Sequence, residues 1–222
     1  MVLGCILTGL LSQACGSAVE NELGRLRVQG QEIVNDQGPF LIKSIGTGNW
    51  MIQEGYMMQS TDAGIGTHTQ FRTKLEQEIG EERTAEFYQD WLDNHMTKAD
   101  LDSMKAWGFN AIRPALHYKW FTLPIQDEPV SGQHTWVDAG FEKLDELMGW
   151  AAANQMYVMF DMHGAPGGQG KNSNINDYDE TLPSLSEDEA NKDKLEALWI
   201  KLAQRYKDNP WFGGYDLINE PN

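Results

Sequence analysis

The chain has 222 residues, 41% of them hydrophobic, with 22 glycines and eight tryptophans, which is enough apolar material for one globular domain with a sizeable core. Seventeen basic residues against 33 acidic ones give a formal charge of −16. That balance argues against nucleic acid phosphates or an anionic membrane face as partners and leaves a neutral ligand such as a sugar polymer open.

Read from the start, both cysteines, Cys5 and Cys15, precede Gly16. Val2 to Ala14 is mostly apolar, too short to span a bilayer, and similar to the apolar core of a secretory signal. Leu11-Ser12-Gln13-Ala14-Cys15-Gly16 resembles a bacterial lipoprotein cleavage box with Cys15 as the lipid anchor, although no Lys or Arg precedes Arg25. Residues 1–22 are therefore expected to be an export segment of an extracellular or cell-surface protein without a transmembrane span. Removing it leaves residues 23–222 with no cysteine for a disulfide.

Arg25 to Gly30 and Glu32 to Gly38 alternate and carry turn signals, which predicts a short β-hairpin. Phe40 to Gly46 reads as a first buried strand, emptying into Thr47-Gly48-Asn49-Trp50. Helix is expected over about Thr69 to Trp107, in two parts, the second opening at Thr97 with Asp100 three residues on as its capping partner. Gly108 ends it, and Phe109 to Pro114 is the second strand. An amphipathic helix over about Ala139 to Asn154 leads to a third apolar strand, Tyr157 to His163. A glycine-rich polar loop, Gly164 to Ser186, and a helix over Glu187 to Lys207 precede a fourth buried strand. That strand carries Asn219 and Glu220 at its C-terminal end.

Four apolar strands alternating with helices imply parallel strands covered on both faces. A doubly wound open sheet and the first half of an eight-stranded barrel both fit. Neither the dinucleotide nor the phosphate-loop glycine fingerprint occurs.

Each strand ends in polar side chains: Asn49 and Trp50, Arg113 and His117, Asp161 and His163, Asn219 and Glu220. Parallel strands gather such groups at one rim, where an arginine among acids is costly to bury unless paired. Arg113 suits the task of holding a carboxylate ionised and oriented. Asp161-x-His163 could be half a metal site, yet no third ligand has motif spacing, so neither metal nor cofactor is expected.

Four segments in order carry a resemblance: Gly46 to Trp50 with Glu54-Gly55-Tyr56, Trp107 to Pro114, Asp161 to Gln169, and Leu217 to Pro221. Over about Leu41 to Asn222 the chain resembles glycoside hydrolase family 5, most closely its exo-β-1,3-glucanase branch. The resemblance implies a TIM (β/α)₈ barrel, here truncated after the fourth strand, and retaining hydrolysis of a β-glucan. It implies Glu220 as general acid/base, Asn219 on the sugar 2-hydroxyl, Arg113 against the nucleophile and His163 beside the scissile bond. Further substrate contacts are expected from Trp50, Glu54, Tyr56, His117, Asp161 and Gln169. Glu54-Gly55-Tyr56 replaces that branch's Glu-Pro-aromatic pattern and His117-Tyr118 its Gly-Tyr, which leaves the linkage open. The family's nucleophile ends a seventh strand, so the four-strand chain is expected to be inactive alone. The alternatives are a non-catalytic carbohydrate-binding remnant and an open-sheet enzyme using Asp161 and His163.

Overall fold

The computed structural model describes residues 21–222; the expected signal, Cys5 and Cys15 lie outside them. The first described residue, Asn21, is tied to the folded body, its side-chain amide donating to the carbonyls of Gly24 (2.9 Å) and Pro210 (2.8 Å). The hairpin is present with one strand added. Strands β1 (Arg27–Gln29), β2 (Glu32–Asn35) and β3 (Gly38–Pro39) form a small antiparallel sheet, Val28 facing Ile33 across it.

The main sheet is parallel, in the order β4 (Ser44–Thr47), β5 (Ala111–His117), β6 (Tyr157–Gly164), β7 (Phe212–Asp216). Its first strand is shorter than expected, beginning only at Ser44, and the Phe40 amide bonds back to the Ile33 carbonyl of β2 (2.8 Å) instead. Before β4 the Asn110 side chain extends the pairing, donating to the Leu41 carbonyl (2.9 Å) and accepting from the Lys43 amide (2.7 Å), beside the Asn110 backbone amide on the Lys43 carbonyl (3.0 Å). The fourth strand also differs. It ends at Asp216, and Asn219 and Glu220 lie in the loop beyond it. It is not a buried strand either: Tyr215 is 43% and Leu217 61% exposed, because β7 has a neighbour on one side only among the described residues. β5 and β6, paired on both sides, are almost wholly buried.

Helices α1 (His68–Ile79), α2 (Glu81–Asn94) and α3 (Lys98–Ala106) occupy the stretch expected to hold two. Gly80, at φ 83°, breaks the first pair. At Thr97 the expected cap forms: the Asp100 carboxylate accepts from the Thr97 amide (2.8 Å) and hydroxyl (2.7 Å). α4 (Asp138–Ala153) and α6 (Glu189–Tyr206) follow, with the one-turn α5 (Ser173–Asn176) inside the glycine-rich loop.

The helices stand side by side in one layer. Asn154, just after α4, donates to Asp102 of α3 (2.7 Å), Lys143 of α4 meets Asp93 of α2 (2.5 Å), and Tyr206 of α6 donates to Asp145 of α4 (2.8 Å). Leu144, Leu147 and Ala151 of α4 and Leu198 and Leu202 of α6 bury completely against the sheet, with Phe160 and Met162 in the same core. Consecutive strand order under a single helical layer is how a barrel wall is wound; a doubly wound sheet reverses its order and carries helices on both faces.

Candidate active site

The parallel register decides what meets at the C-terminal rim. Asp161 of β6 is level with Asp216 of β7 and with Ala115 of β5. The small Ala115 leaves room for the guanidinium of Arg113, two residues earlier on the same face. Arg113 spends its donors on three acceptors: Nη1 to Asp161 Oδ2 (3.0 Å), Nε and Nη2 to Asp216 Oδ2 (3.0 and 2.6 Å), and Nη2 to Asn219 Oδ1 (3.1 Å). Asp161 is fully buried, so this pairing and that with His163 are what make its placement tolerable.

His163 lies between two acids, Nδ1 2.7 Å from Asp161 Oδ2 and Nε2 3.1 Å from Glu54 Oε1. Burial pulls its pKa down, but hydrogen bonds to Asp161 and Glu54 and their charges outweigh that and raise it to about 9. At neutral pH the ring is therefore an imidazolium donating from both nitrogens. Asn219 Nδ2 lies 3.3 Å from His163 Nε2. Since Arg113 fixes the Asn219 oxygen toward itself, two donors face each other there, and the Asn219 amide hydrogens are left for a ligand.

Glu54 is delivered by a turn in which Asn49, at φ 60°, accepts the Glu54 amide at 3.0 Å. Tyr56 stands exposed beside it. Hydrogen bonding to Glu54, then burial, then the charges of Glu54 and Glu220 push the Tyr56 phenol up to about 12. Glu220 is exposed at the rim, and its φ of 43° is a left-handed conformation rarely adopted by a non-glycine residue.

Three expected substrate contacts are placed elsewhere. Trp50 is 1% exposed and packs under α2, its indole donating to the Leu92 carbonyl (3.1 Å), so it faces the core. His117 is fully buried, stacked on His68 at 4.8 Å and bonded through Nε2 to Asp177 (3.0 Å). Gln169 is buried with its amide wholly committed to backbone. Arg113, Asp161, His163, Glu54, Asn219, Tyr56 and Glu220 come together; these three surround them.

Two acids went unnoticed in the sequence. Asp216 ends β7, level with Asp161 on β6, and could have been found by the reasoning that singled out polar residues closing apolar runs. Asp177, in the long polar loop, bears no telling spacing to any partner. It accepts from the Thr69 amide (2.7 Å) and hydroxyl (2.6 Å), from Lys119 (2.9 Å) and from His117. Burial opposes its charge, yet the His117 hydrogen bond and the nearby Lys119 hold its pKa well below the usual carboxylate range. A recess of about 260 Å³ opens beside it, lined by Tyr118, Lys119, Asp177, Asp179 and Leu182 among others. Among the described residues no three His, Cys, Asp or Glu side chains form a metal-ligand group.

A parallel α/β wall presenting paired acids, a cation and an amide at its C-terminal rim defines a barrel-type enzyme scaffold with a polar-ligand site. The family model for cellulase, glycosyl hydrolase family 5, matches residues 67–222, and the chain belongs to that family. It is 30% identical over 197 residues to a beta-xylosidase of Phanerodontia chrysosporium, covering 88% of this chain and 39% of the relative. To a probable glucan 1,3-beta-glucosidase A of Aspergillus niger it is 28% identical over 215 residues, 96% of this chain and 49% of the relative. The crystal structure of rutinosidase from Aspergillus niger shares the fold, with a TM-score of 0.61 at 18% identity over 82% of this chain and 49% of that one. The chain thus spans about half the length, or less, of the relatives it matches.

Proposed function

We propose that the 222 residues are the N-terminal half of an exported, retaining β-glucan hydrolase, with Glu220 as its general acid/base. One observation carries this: in a member of glycosyl hydrolase family 5, Arg113, Asp161, His163 and Asn219 converge at the sheet's C-terminal rim, next to Glu220. The names of its relatives, glucan 1,3-beta-glucosidase and beta-xylosidase, support a neutral β-linked glycan as substrate. They favour the exo-β-1,3-glucanase branch.

In the first step the Glu220 carboxyl gives its proton to the glycosidic oxygen as the bond to the anomeric carbon breaks, while a second carboxylate attacks that carbon. In the second step Glu220 takes a proton from water, whose oxygen joins the anomeric carbon and releases the second carboxylate. The two carboxyl groups must stand about 5–5.5 Å apart on opposite faces of the sugar. Asp161 does not qualify, being fully buried and occupied by Arg113 and His163. The nucleophile is assigned to a later strand of the barrel, so these 222 residues alone bind glycan without cleaving it. The Asn219 amide hydrogens serve the sugar 2-hydroxyl, and Glu54 and Tyr56 line the ring's approach. Export, with lipid attachment at Cys15, rests on the apolar character of Val2 to Ala14.

Incubation with laminarin and barley β-glucan should release no reducing sugar, whereas laminari-oligosaccharides should perturb the His163 and Asn219 side-chain signals in NMR spectra. Release of reducing sugar that disappears in Glu220→Gln would overturn the inactivity of the chain. An absence of any binding to laminari- and cello-oligosaccharides would overturn its carbohydrate role.

A further inference from the structure

We infer that Gln169 is a positioning residue: its single buried amide clamps the backbone carbonyls of His163 and Asn219 together and thereby sets the distance between the two groups that face the ligand. Gln169 Nε2 donates to the His163 carbonyl at 2.7 Å and to the Asn219 carbonyl at 2.8 Å. Its Oε1 accepts the Ala165 amide at 3.1 Å, which fixes which way the amide points. Both amide hydrogens and the oxygen are consumed, and the residue is 7% exposed, so nothing of it remains for a sugar.

The clamp acts beyond the paired register of β6 and β7. β7 ends at Asp216, three residues before Asn219, and beyond it the chain is held to β6 by the Asn219 amide on the Met162 carbonyl (3.0 Å) and by Gln169. The loop carrying Gln169 is fastened to the same segment again, Asn222 Oδ1 accepting the Lys171 amide at 2.8 Å. Gly167 and Gly168 give this loop its tight path. At φ 75° and 77° they adopt left-handed conformations, and a Cβ on Gly168 would stand 2.8 Å from the Tyr178 backbone. A glycine-rich rim loop thus serves to bring one amide under two carbonyls, which holds the His163 ring between Asp161 and Glu54 and keeps Asn219 against Arg113. Preorganising groups through buried, fully satisfied neighbours is what a precise polar site requires.

The inference rests on the proposed glycan-binding role of His163 and Asn219 for its purpose, but its test does not. The decisive variant is Gln169→Glu, which keeps shape and the Oε1 acceptor while removing the donor, with Asn222→Ala as a control that loosens the same loop without touching His163. In Gln169→Glu the His163 ring nitrogens and the Asn219 side-chain amide should shift in ¹⁵N NMR spectra, and laminaritetraose affinity should drop about tenfold or more. Asn222→Ala should leave the His163 signals in place. In the unaltered chain, the Gln169 side-chain amide protons should exchange slowly with solvent, a measurement that stands even if the variant does not fold. Unmoved His163 and Asn219 signals in a folded Gln169→Glu, an equal response in Asn222→Ala, or rapid exchange of the Gln169 amide would each overturn the clamp. Shifted signals in a chain that binds no glucan oligosaccharide would leave the clamp standing and remove the glycan reading instead.

Discussion

His163 carries the clearest pH signature of any single residue. Its pKa is raised to about 9 from an ordinary 6.5, so the stability it contributes is fully present below about pH 6.5 and is lost as pH rises through about 9. Thermal melts should fall across that window, and His163→Gln should flatten the alkaline arm; an unchanged pH profile would show that the ring is not held as an imidazolium. Arg113 makes a separate case. Deleting it as Arg113→Met leaves the fully buried Asp161 with His163 as its one remaining charged partner among the described residues, and urea unfolding should register a loss of about 3 kcal/mol, the scale found when one partner of a buried pair is removed. Arg113→Met/Asp161→Asn should recover part of it. These residues were legible because a polar side chain closing an apolar run is conspicuous. Trp50 was not, since an aromatic after a strand looks alike whether it lines a rim or, as here, packs beneath α2. Gln169 was legible as a site residue but not as one that faces away from the ligand, because only the path of its loop decides that.

Above single residues, Asp177 ties three elements into a knot: the N-terminus of α1 through Thr69, the end of β5 through His117 and Lys119, and the loop around α5 to which it belongs. The two histidines stacked here are neutral. Burial lowers both pKa values, that of His68 with help from the nearby His117, and each ring uses Nδ1 as an acceptor, His68 from the Gln53 amide and His117 from the Lys119 amide. Protonating either nitrogen sets donor against donor. Because the folded pKa values lie below 6.5, stability is lost as pH falls from there, and Asp177, held well below 3.8, adds its own loss further down. The knot and His163 therefore oppose each other, and stability should peak near pH 6.5. His68→Phe should keep the stack and shallow the acid arm; an acid arm as steep as before would place the sensitivity elsewhere. Packing between elements offers a second check. A Cβ on Gly140 of α4 would stand 2.6 Å from the Trp120 carbonyl oxygen, so Gly140→Ala should cost about 1–3 kcal/mol in chemical unfolding. The number, order and type of the long elements could be read from apolar periodicity and glycine breaks. Their ends could not, because Asn110 extending the pairing before β4 and the early end of β7 are decided by neighbours distant in sequence.

For the molecule as a whole, the exposed side of β7 and the groove beside it dominate. Leu185, Leu195, Trp199, Leu217, Ile218 and Pro221 line an apolar trough of about 500 Å³ next to a strand whose outer hydrogen-bonding groups have no partner strand among the described residues. Such an edge invites pairing, while a charge of −16 opposes it. Screening should release that opposition, so sedimentation of the 222-residue chain should show association that grows with salt and weakens in Leu217→Lys. A monomer at every ionic strength would count against it. Whether the sheet was open or wound toward a barrel was not legible, since helix periodicity does not say which face a helix covers. The contacts among α3, α4 and α6 decide it.

The strand order has a further consequence, for the time at which parts of the chain are secured. Every strand of the main sheet pairs with the strand that follows it in sequence, so each βα unit can dock as it leaves the ribosome, without waiting for a distant partner. The opening segment is the exception. Asn21 bonds to Pro210, Arg25 to the Lys207 carbonyl, and the Gly24 carbonyl receives the Tyr157 hydroxyl at 2.6 Å. The described residues made first thus have partners 133 to 189 positions further along, and these bonds can form only after those partners have been made.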